Sequence, residues 1–303
     1  ALAMVDEQHR FGVGQRSKLL KKNETIPHFL SMSATPIPRT LALTVYADLD
    51  VSLLDELPPG RKAIETKLVR PRERQEIYQY IRQKLQNKEQ AFVICPRIDA
   101  PEEGDTNTLE LKSVKEETKK LKEIVFPEFS IAMMHGKLSP KEKEETMRRF
   151  KNGDIDVLVS TSVVEVGVDV PNATIMIIEG AERFGLAQLH QFRGRIGRGN
   201  KQSHCFVFTE KYSAEIFRRL KALVEAKNGF DLAEYDLQFR GAGELAGRRQ
   251  WGISDIGMEA LKNIKMVEAA RAEARRLIEE NNMEQYPLLL EKIDSGADVV
   301  IGR

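Results

Sequence analysis

The stretch Gln188-Leu189-His190-Gln191-Phe192-Arg193-Gly194-Arg195-Ile196-Gly197-Arg198-Gly199 places three arginines within six residues, separated by glycines, directly after a short apolar helix pattern. A guanidinium group is permanently charged and forks onto phosphate oxygens, and glycine lets a backbone approach a ligand closely. The pattern therefore predicts a site that holds a transferring phosphoryl group from one side. An isolated Arg-Gly-Arg is more often a solvated basic loop. The other motifs of the chain are therefore needed to choose between such a loop and a phosphate-binding site.

The composition is that of a soluble globular protein. The chain has 303 residues, of which 41% are hydrophobic and 31% are charged, and its net charge is +1. This length allows two domains with sizeable cores, and the small net charge argues against a histone-like polyanion binder without excluding local contact with nucleic acid. Cys95 and Cys205 lie in apolar runs without metal or disulfide spacing, which predicts buried free thiols. No apolar run approaches the ~20 residues of a membrane span.

Alternating apolar and helical patterns predict an α/β fold. From Ile64 to Phe208 short apolar runs alternate with amphipathic stretches, which favours βαβ units and a mostly parallel sheet. Ser139-Pro140-Lys141-Glu142 is a capping box with proline at the first helical position, so a helix is expected to begin there. Pro58-Pro59-Gly60, a stiff pair followed by a flexible joint, predicts a domain boundary.

Two acids follow the first apolar run of the chain. Leu2 to Val5 is interpreted as a buried strand that delivers Asp6 and Glu7 to its carboxyl end, where ligands of open α/β sheets bind. One carboxylate of such a pair can hold Mg²⁺, usually through water, while the other orients or deprotonates the attacking water.

Three further apolar runs are followed directly by a residue with a hydroxyl or imidazole group: Ser33, His135 and Thr161. Ser33-Ala34-Thr35 can relay a change at a nucleotide or simply cap a helix, and His135-Gly136 follows Ile131 to Met134. Thr161 begins the run to Pro171, where a hydroxyl followed by helical backbone N–H groups can hold a phosphate of DNA or nucleotide.

Taken in order, these motifs resemble superfamily 2 helicases, whose motor is a pair of RecA-like P-loop NTPase domains. The pattern Gln-x-x-Gly-Arg-x-Gly-Arg resembles motif VI, and the Asp-Glu pair resembles motif II. Ser-Ala-Thr resembles motif III, and the run that begins at Thr161 resembles motif V. The resemblance implies Asp6 as the Mg²⁺ carboxylate, Glu7 as the catalytic base, and Arg195 and Arg198 as catalytic arginines. It implies further contacts with ATP from Gln191, Gly167 and Asp169. It also implies four residues that contact DNA or couple it to the nucleotide: Thr35, His135, Gly136 and Thr161.

A glycine-rich segment after the second motor-like domain narrows the resemblance. Residues 230–252 combine four glycines with Phe, Leu and Trp, and they resemble the translocation motif shared by RecG branched-DNA helicases and the transcription-repair coupling factor. In that family a helical hairpin and its loop couple ATP-driven closure to movement along duplex DNA. The form Asp-Glu-Gln-His at Asp6 to His9 favours the RecG family. Five residues are implied in transmission: Arg240, Gly241, Glu244, Gly247 and Gln250.

Four parts are predicted along the chain: a remnant of a first RecA-like domain at 1–58, a second RecA-like helicase domain at 59–212, a translocation hairpin and loop at 213–281, and a tail at 282–303. No Gly-x-x-x-x-Gly-Lys-Ser/Thr occurs, although ATP hydrolysis by this family needs that phosphate cradle. The chain is therefore expected to be the C-terminal motor portion of a longer enzyme, inactive by itself, with the cradle and the DNA-junction wedge domain upstream.

The resemblance implies an ATP- and Mg²⁺-dependent translocase that remodels stalled replication forks and Holliday junctions in recombination and repair. It also implies double-stranded and branched DNA as partners, no membrane, a single-stranded DNA-binding protein as a further partner, a monomeric state, and a cytoplasmic, nucleoid-associated location in bacteria. Two alternatives stay open. One is a coupling-factor-type translocase without preference for branched DNA, and the other is a non-enzymatic DNA- or protein-binding module.

Overall fold

The structure is a computed structural model that describes residues 2–6, 28–33, 52, 54, 60–96, 114–161, 170–210, 213–226, 228–236, 239, 264–280, 283–291 and 293. The chain divides into two compact units. The first comprises 1–35 and 56–232, and the second comprises 36–55 and 233–303.

A small parallel sheet carries the acidic end of the first apolar run. It consists of β1 (Leu2–Val5) and β2 (His28–Ser31), and Val5 lies opposite Ser31 in the register. The prediction of a buried strand is only partly right, because Val5 is buried whereas Leu2 and Met4 are 61% and 64% exposed. Among the described residues β1 has one neighbouring strand, so little of its surface is covered.

Six parallel strands form the main sheet of the first unit, as the alternating pattern predicted. They are β3 (Glu65–Val69), β4 (Gln90–Ile94), β5 (Ile131–Met134), β6 (Val157–Ser160), β7 (Ala173–Ile178) and β8 (His204–Phe208). Their order across the sheet is β3-β8-β7-β4-β6-β5, with every neighbouring pair parallel. All six carboxyl ends therefore lie at one edge of the sheet.

The helices lie between and after these strands. They are α1 (Arg74–Gln86), α2 (114–120, continued by a π-helical turn at Leu121–Val125), α3 (Pro140–Lys151), α4 (Leu186–Arg193), α5 (Ala214–Glu225), α6 (229–236) and α7 (Ile264–Glu279). The predicted capping box is confirmed at α3. Ser139 Oγ accepts from the Glu142 N–H at 3.3 Å, and Glu142 Oε2 accepts from the Ser139 N–H at 2.8 Å.

Both faces of the main sheet are covered, which explains why its strands are apolar without alternation. On one face Val93, Val159 and Ile177 pack with Ile81 of α1 in a single core cluster. On the other face Phe92 of β4 packs against Phe150 of α3, with the ring centroids 4.8 Å apart. Cys95 and Cys205 are buried free thiols, as predicted.

The described part of the second unit is mostly the helix α7, in which Arg276 pairs with Glu273 and Glu280 at 2.6 Å each. No helix among the described residues is both long and apolar enough to cross a bilayer. Within the same residues no group of three or more His, Cys, Asp and Glu side chains is arranged to hold a metal ion.

Candidate nucleotide and nucleic-acid site

The carboxyl edge of the six-stranded sheet collects polar residues from neighbouring strands. Ligands of parallel α/β sheets bind at this edge, because the strands point their carboxyl ends and the following helix N-termini toward it. The residue that follows each of the six strands there is polar, charged or a thiol: Arg70 after β3, Cys95 after β4, His135 after β5, Thr161 after β6, Glu179 after β7 and Thr209 after β8.

The arginine-rich stretch forms α4 and a tight turn that ends it. Gly194 caps the helix, and the Arg195 N–H donates to the Phe192 carbonyl at 3.0 Å. Ile196 is fully buried, whereas Arg195 is half-buried and Arg198 is exposed. The buried isoleucine between the two arginines fixes the turn to the domain and leaves the Arg198 guanidinium accessible to a phosphate.

Two glycines let this turn sit close to its neighbours. Gly197 has φ +76°, a left-handed conformation, and a Cβ atom there would lie 3.0 Å from Cγ1 of Ile64. A Cβ atom on Gly199 would lie 2.9 Å from the carbonyl oxygen of Pro171. Arg61 secures the same turn, because its Nε donates to the Gly197 carbonyl at 3.0 Å. The motif VI turn thus contacts the end of the motif V stretch.

Arg193, the first of the three arginines, has a different environment. Its guanidinium donates to the Leu223 carbonyl near the end of α5 at 2.9 Å, and it lies 3.4 Å from Nδ1 of His190. Burial, reinforced by Arg193, lowers the pKa of His190 to about 4, so this imidazole is neutral near pH 7 and its Nδ1 can accept. Burial also lowers the pKa of Arg193. Arg193 therefore ties α4 to α5.

Two buried polar atoms at the end of β5 and β6 lack hydrogen-bond partners. Met134 and Ser160 lie opposite each other in the register, so His135 and Thr161 leave adjacent strands at the same level. Thr161 Oγ1 and His135 Nδ1 are both buried without a hydrogen-bond partner. Leaving a buried polar group unpaired costs about 1–3 kcal/mol, so such groups mark places where an absent ligand supplies the missing bond.

Lysines surround this pair of orphaned atoms. Burial lowers the pKa of His135, and Lys115, Lys143 and Lys137 act in the same direction, while Glu142 opposes them. Lys143 also donates to the Gly136 carbonyl at 3.1 Å. A neutral imidazole, a hydroxyl and three ammonium groups form a cluster that suits a phosphodiester, with the charge supplied by the lysines.

A partly buried ion pair supports the middle of the same edge. Arg74 at the start of α1 donates to both carboxylate oxygens of Glu179, at 2.9 and 2.7 Å, and also to the Tyr78 hydroxyl at 2.9 Å. Burial raises the pKa of Glu179 although Arg74 opposes it. Burial likewise works against the charge of Arg74, but Glu179 outweighs it and raises the pKa of Arg74. The pair fixes α1 to the end of β7.

Asp6 follows β1 directly and is exposed, so its carboxylate is accessible to a hydrated cation. Mg²⁺ keeps several waters and takes one or two protein carboxylates together with phosphate oxygens, and the residue fits that use. The other predicted residues of the first acidic and hydroxyl motifs, Glu7 and Thr35, lie outside the described residues, as do Gly167 and Asp169 of motif V. The five transmission candidates also lie outside them: Arg240, Gly241, Glu244, Gly247 and Gln250.

The sequence did not single out the residues that hold the candidate site in shape. Arg193 was noticed only as one more arginine of the run, and Arg219, which binds the carbonyls of Glu182 and Phe184 at 2.7 Å each, was not noticed at all. Arg74 and Glu179 are 105 positions apart, so no local pattern connects them. The available signal was weak: Glu179 is an acid directly after the apolar strand β7 and needs a partner.

Comparison with known proteins agrees with this geometry. Residues 73–200 match the family model described as the helicase conserved C-terminal domain. Over 99% of its length the chain is 45% identical to the "ATP-dependent DNA helicase RecG" of Synechocystis sp., and over 91% it is 45% identical to that of Thermotoga maritima. A solved structure of RecG bound to a three-way DNA junction superposes on 88% of the chain with a TM-score of 0.65 and 42% identity. Residues 73–200 are therefore a helicase C-terminal domain, in a chain that is similar to RecG over nearly its whole length.

The RecG-type similarity also confirms the predicted α/β, RecA-like helicase fold. The chain spans 36% and 35% of the length of these two RecG proteins and 33% of the chain in the solved structure. The matched part is therefore a portion of a longer helicase in these relatives.

Proposed function

We propose that the complete protein containing this chain is an ATP-dependent translocase on double-stranded DNA that remodels branched DNA, including stalled forks and Holliday junctions. The observation that carries the proposal is the RecG similarity, which runs over nearly the whole chain at 45% identity. A relative bound to a three-way DNA junction supports branched DNA as the substrate class. The coupling-factor alternative gains no support from these relatives.

Two groups of residues divide the work of ATP hydrolysis in this proposal. Arg195 and Arg198 stabilise the charge that develops on the transferring phosphoryl group, and Gln191, Gly167 and Asp169 complete the ATP contacts. Glu7 orients and deprotonates the attacking water. Asp6 would hold Mg²⁺ through water, and the bound ion would supply positive charge that offsets the charge of the phosphates. The half-buried Arg195 and the exposed Arg198 on a rigid turn suit such a role, because preorganised donors need not rearrange during the reaction.

DNA contact is assigned to the orphaned pair at the ends of β5 and β6. A phosphate oxygen accepts a hydrogen bond from Thr161 Oγ1, and His135 and Gly136 follow the neighbouring strand at the same edge of the sheet. Phosphate contacts of this kind position a protein on DNA without reading its sequence, as a translocase requires. Thr35, in the first RecA-like part, is assigned to the coupling of the nucleotide to this DNA contact.

The proposed division of the chain is 1–58, 59–212, 213–281 and 282–303, with movement transmitted through Arg240, Gly241, Glu244, Gly247 and Gln250. We further propose that the complete protein is a monomer in the bacterial cytoplasm, associated with the nucleoid. A single-stranded DNA-binding protein is its proposed partner at forks.

Thr161→Val in the complete protein tests the DNA assignment. Valine has nearly the same shape, and no hydrogen bond inside the fold is lost because Thr161 Oγ1 has no partner there. The expected result is an unchanged melting temperature together with at least about tenfold weaker DNA stimulation of ATP hydrolysis, which corresponds to roughly 1.4 kcal/mol.

Lys151→Ala is the matched control, because Lys151 is an exposed basic residue at the end of α3 that precedes the amino end of β6, and it is expected to behave like the wild type. Unchanged DNA stimulation in Thr161→Val would contradict the DNA assignment. A wild-type protein that neither hydrolyses ATP with DNA nor unwinds a model fork would contradict the proposed function as a whole.

A further inference from the structure

Arg61 is the first residue after the predicted joint Pro58-Pro59-Gly60, and its side chain reaches the arginine turn. Its Nε donates to the Gly197 carbonyl at 3.0 Å, over a separation of 136 positions. Gly60 itself has φ +82° and no atom within 4 Å of its Cβ position. The chain therefore passes from an open position at Gly60 to a fixed contact at the next residue.

The backbone that follows Arg61 is attached to the same part of the domain. Gln202 Nε2 donates to the Ala63 carbonyl at 2.8 Å. The Glu65 N–H donates to the Ser203 carbonyl at 3.0 Å, where β3 begins to pair with β8. These contacts give Arg61 a fixed base from which its side chain acts on the turn.

The bond from Arg61 holds a peptide group that glycine leaves adjustable. The Gly197 carbonyl belongs to the peptide group that leads into Arg198, and Gly197 has φ +76°. Because glycine occupies a wider range of backbone conformations than other residues, this peptide group needs outside contacts to keep one orientation. Arg61 supplies one through the carbonyl. Ile64 supplies another, because its Cγ1 lies 3.0 Å from the position of a Cβ atom on Gly197.

Arg198 lies between two fixed glycines. Gly197 is held by the two contacts above, and the carbonyl oxygen of Pro171 lies 2.9 Å from the position of a Cβ atom on Gly199. Arg198 itself is exposed. Its backbone is thus fixed on both sides while its guanidinium is accessible, which suits a donor that has to be in place before charge develops on a phosphoryl group.

We propose that Arg61 is a positioning residue for ATP hydrolysis, which acts through its Nε–H on the Gly197 carbonyl and holds Arg198 ready for the transferring phosphoryl group. The inference rests on the proposed ATP-driven motor, and it adds to the ATP site a residue from outside the arginine run. In this role the N–H donor of Arg61 matters and its positive charge does not. The competing explanation is that the charge of Arg61 acts on the phosphates directly.

Two substitutions of Arg61 separate the donor from the charge. In Arg61→Gln the side-chain amide nitrogen occupies the place of Nε, so the donor stays and the charge is lost. In Arg61→Lys a methylene group occupies that place, so the charge stays and the donor is lost.

DNA-stimulated ATP hydrolysis by the complete protein is the measurement. Arg61→Lys is expected to lower kcat at least about tenfold, because misplacing a group at the reaction by even a fraction of an ångström is costly. The KM for ATP is expected to change less than about twofold, because the positioned arginine acts mainly in the transition state. Arg61→Gln is expected to retain kcat within about threefold of the wild type, because an amide N–H replaces the lost donor. The number of base pairs unwound per ATP hydrolysed should stay at the wild-type value in both variants.

A double variant tests whether Arg61 acts through Arg198. Because Arg198→Ala removes the group that Arg61 positions, adding Arg61→Lys to it is expected to lower kcat by less than about twofold further. A further loss as large as that of Arg61→Lys alone overturns the proposal, since independent residues multiply their effects. Lys62→Ala is the matched control, because Lys62 is the exposed basic neighbour in the chain, and it is expected to keep the wild-type kcat.

The remaining outcomes are also decisive. A loss of kcat in Arg61→Gln that equals or exceeds the loss in Arg61→Lys shows that the charge matters and overturns the positioning role. If Arg61→Lys does not fold, Arg61→Met replaces it, because Met and Gln are both uncharged and only Gln has the donor. Failure of Arg61→Met to fold as well makes Arg61 a folding residue and overturns the role too.

A failure of the proposed function is distinguishable from a failure of this inference. A complete wild-type protein without DNA-stimulated hydrolysis contradicts the motor itself, and the positioning role of Arg61 falls with it. An active wild type in which Arg61→Lys keeps the wild-type kcat contradicts the positioning role alone.

Discussion

At the scale of the single residue, Gly197 determines how closely the arginine turn approaches the domain. The residue combines a left-handed φ of +76° with a Cβ position 3.0 Å from Ile64. Gly197→Ala adds backbone strain of about 1 kcal/mol and a contact that moves Ile64 or the turn. We expect a loss of roughly 2–3 kcal/mol in the free energy of unfolding, together with slower ATP hydrolysis by the complete protein.

Gly153→Ala is the control that separates the backbone strain of Gly197→Ala from its contact with Ile64. Gly153 has a similar φ of +86° but no atom within 4 Å of its Cβ position. Denaturant unfolding of both variants should therefore show the strain alone at Gly153, about 1 kcal/mol, and no effect on hydrolysis. Equal losses at the two glycines would mean that the contact with Ile64 is unimportant.

The local structure of the arginine turn was predictable from the sequence in part. The run Gln188 to Gly199 indicated a turn with close backbone approach, and the structure places Arg198 at the surface beside two glycines that need it, while the phosphate contact stays a prediction. The role of Arg193 was not predictable, because its acceptor at Leu223 is 30 positions away. The same holds for the orphaned atoms of His135 and Thr161, since being unpaired depends on everything packed around them.

At the scale of elements, the junction of α4 and α5 depends on a neutral histidine. Burial, with help from Arg193, lowers the pKa of His190 from 6.5 to about 4. The unfolded chain therefore binds more protons than the folded one between these two values. The contribution of His190 to stability is fully present above about pH 6.5 and is lost as the pH falls toward 4, by roughly 3 kcal/mol at most.

His190→Asn tests this dependence, because the asparagine amide oxygen can accept from Arg193 but does not titrate. The free energy of unfolding should fall less steeply in the variant than in the wild type when the pH is lowered from about 7 to about 4.5. Taking the difference between the two proteins removes the contributions of other titrating groups. Parallel curves for wild type and variant would show that His190 is not held neutral by the fold.

Most elements of the main sheet followed from periodicity, because parallel strands covered on both faces are short continuous apolar runs. The apolar run at Ile131–Met134 forms a strand with those bounds, and the helix predicted to begin at the Ser139 capping box begins at Pro140. The burial of β1 was wrong in part, since apolar composition does not say which neighbours cover a strand. The order of the strands across the sheet is a tertiary property that local patterns do not contain.

At the scale of the whole molecule, the chain resembles about a third of a longer helicase. In a motor of two RecA-like domains, the first supplies the phosphate cradle and the acids and the second supplies the arginines. ATP binds between them, so neither domain hydrolyses ATP by itself. The 303 residues include the acids at Asp6 and Glu7 and the arginines at Arg195 and Arg198. They include no Gly-x-x-x-x-Gly-Lys-Ser/Thr, the sequence that binds the β- and γ-phosphates.

We therefore expect the purified 303-residue chain to show no ATP turnover above background, with or without DNA, whereas the complete protein hydrolyses ATP when DNA is added. Glu7→Gln provides the control in both settings. In the complete protein it should abolish hydrolysis, because water then lacks its base. In the isolated chain it should change nothing, and any residual turnover that survives the substitution comes from a contaminant. Turnover by the isolated chain that Glu7→Gln removes would show that these residues bind the phosphates without the cradle, and it would overturn the division of the ATP site between separate parts of a longer protein.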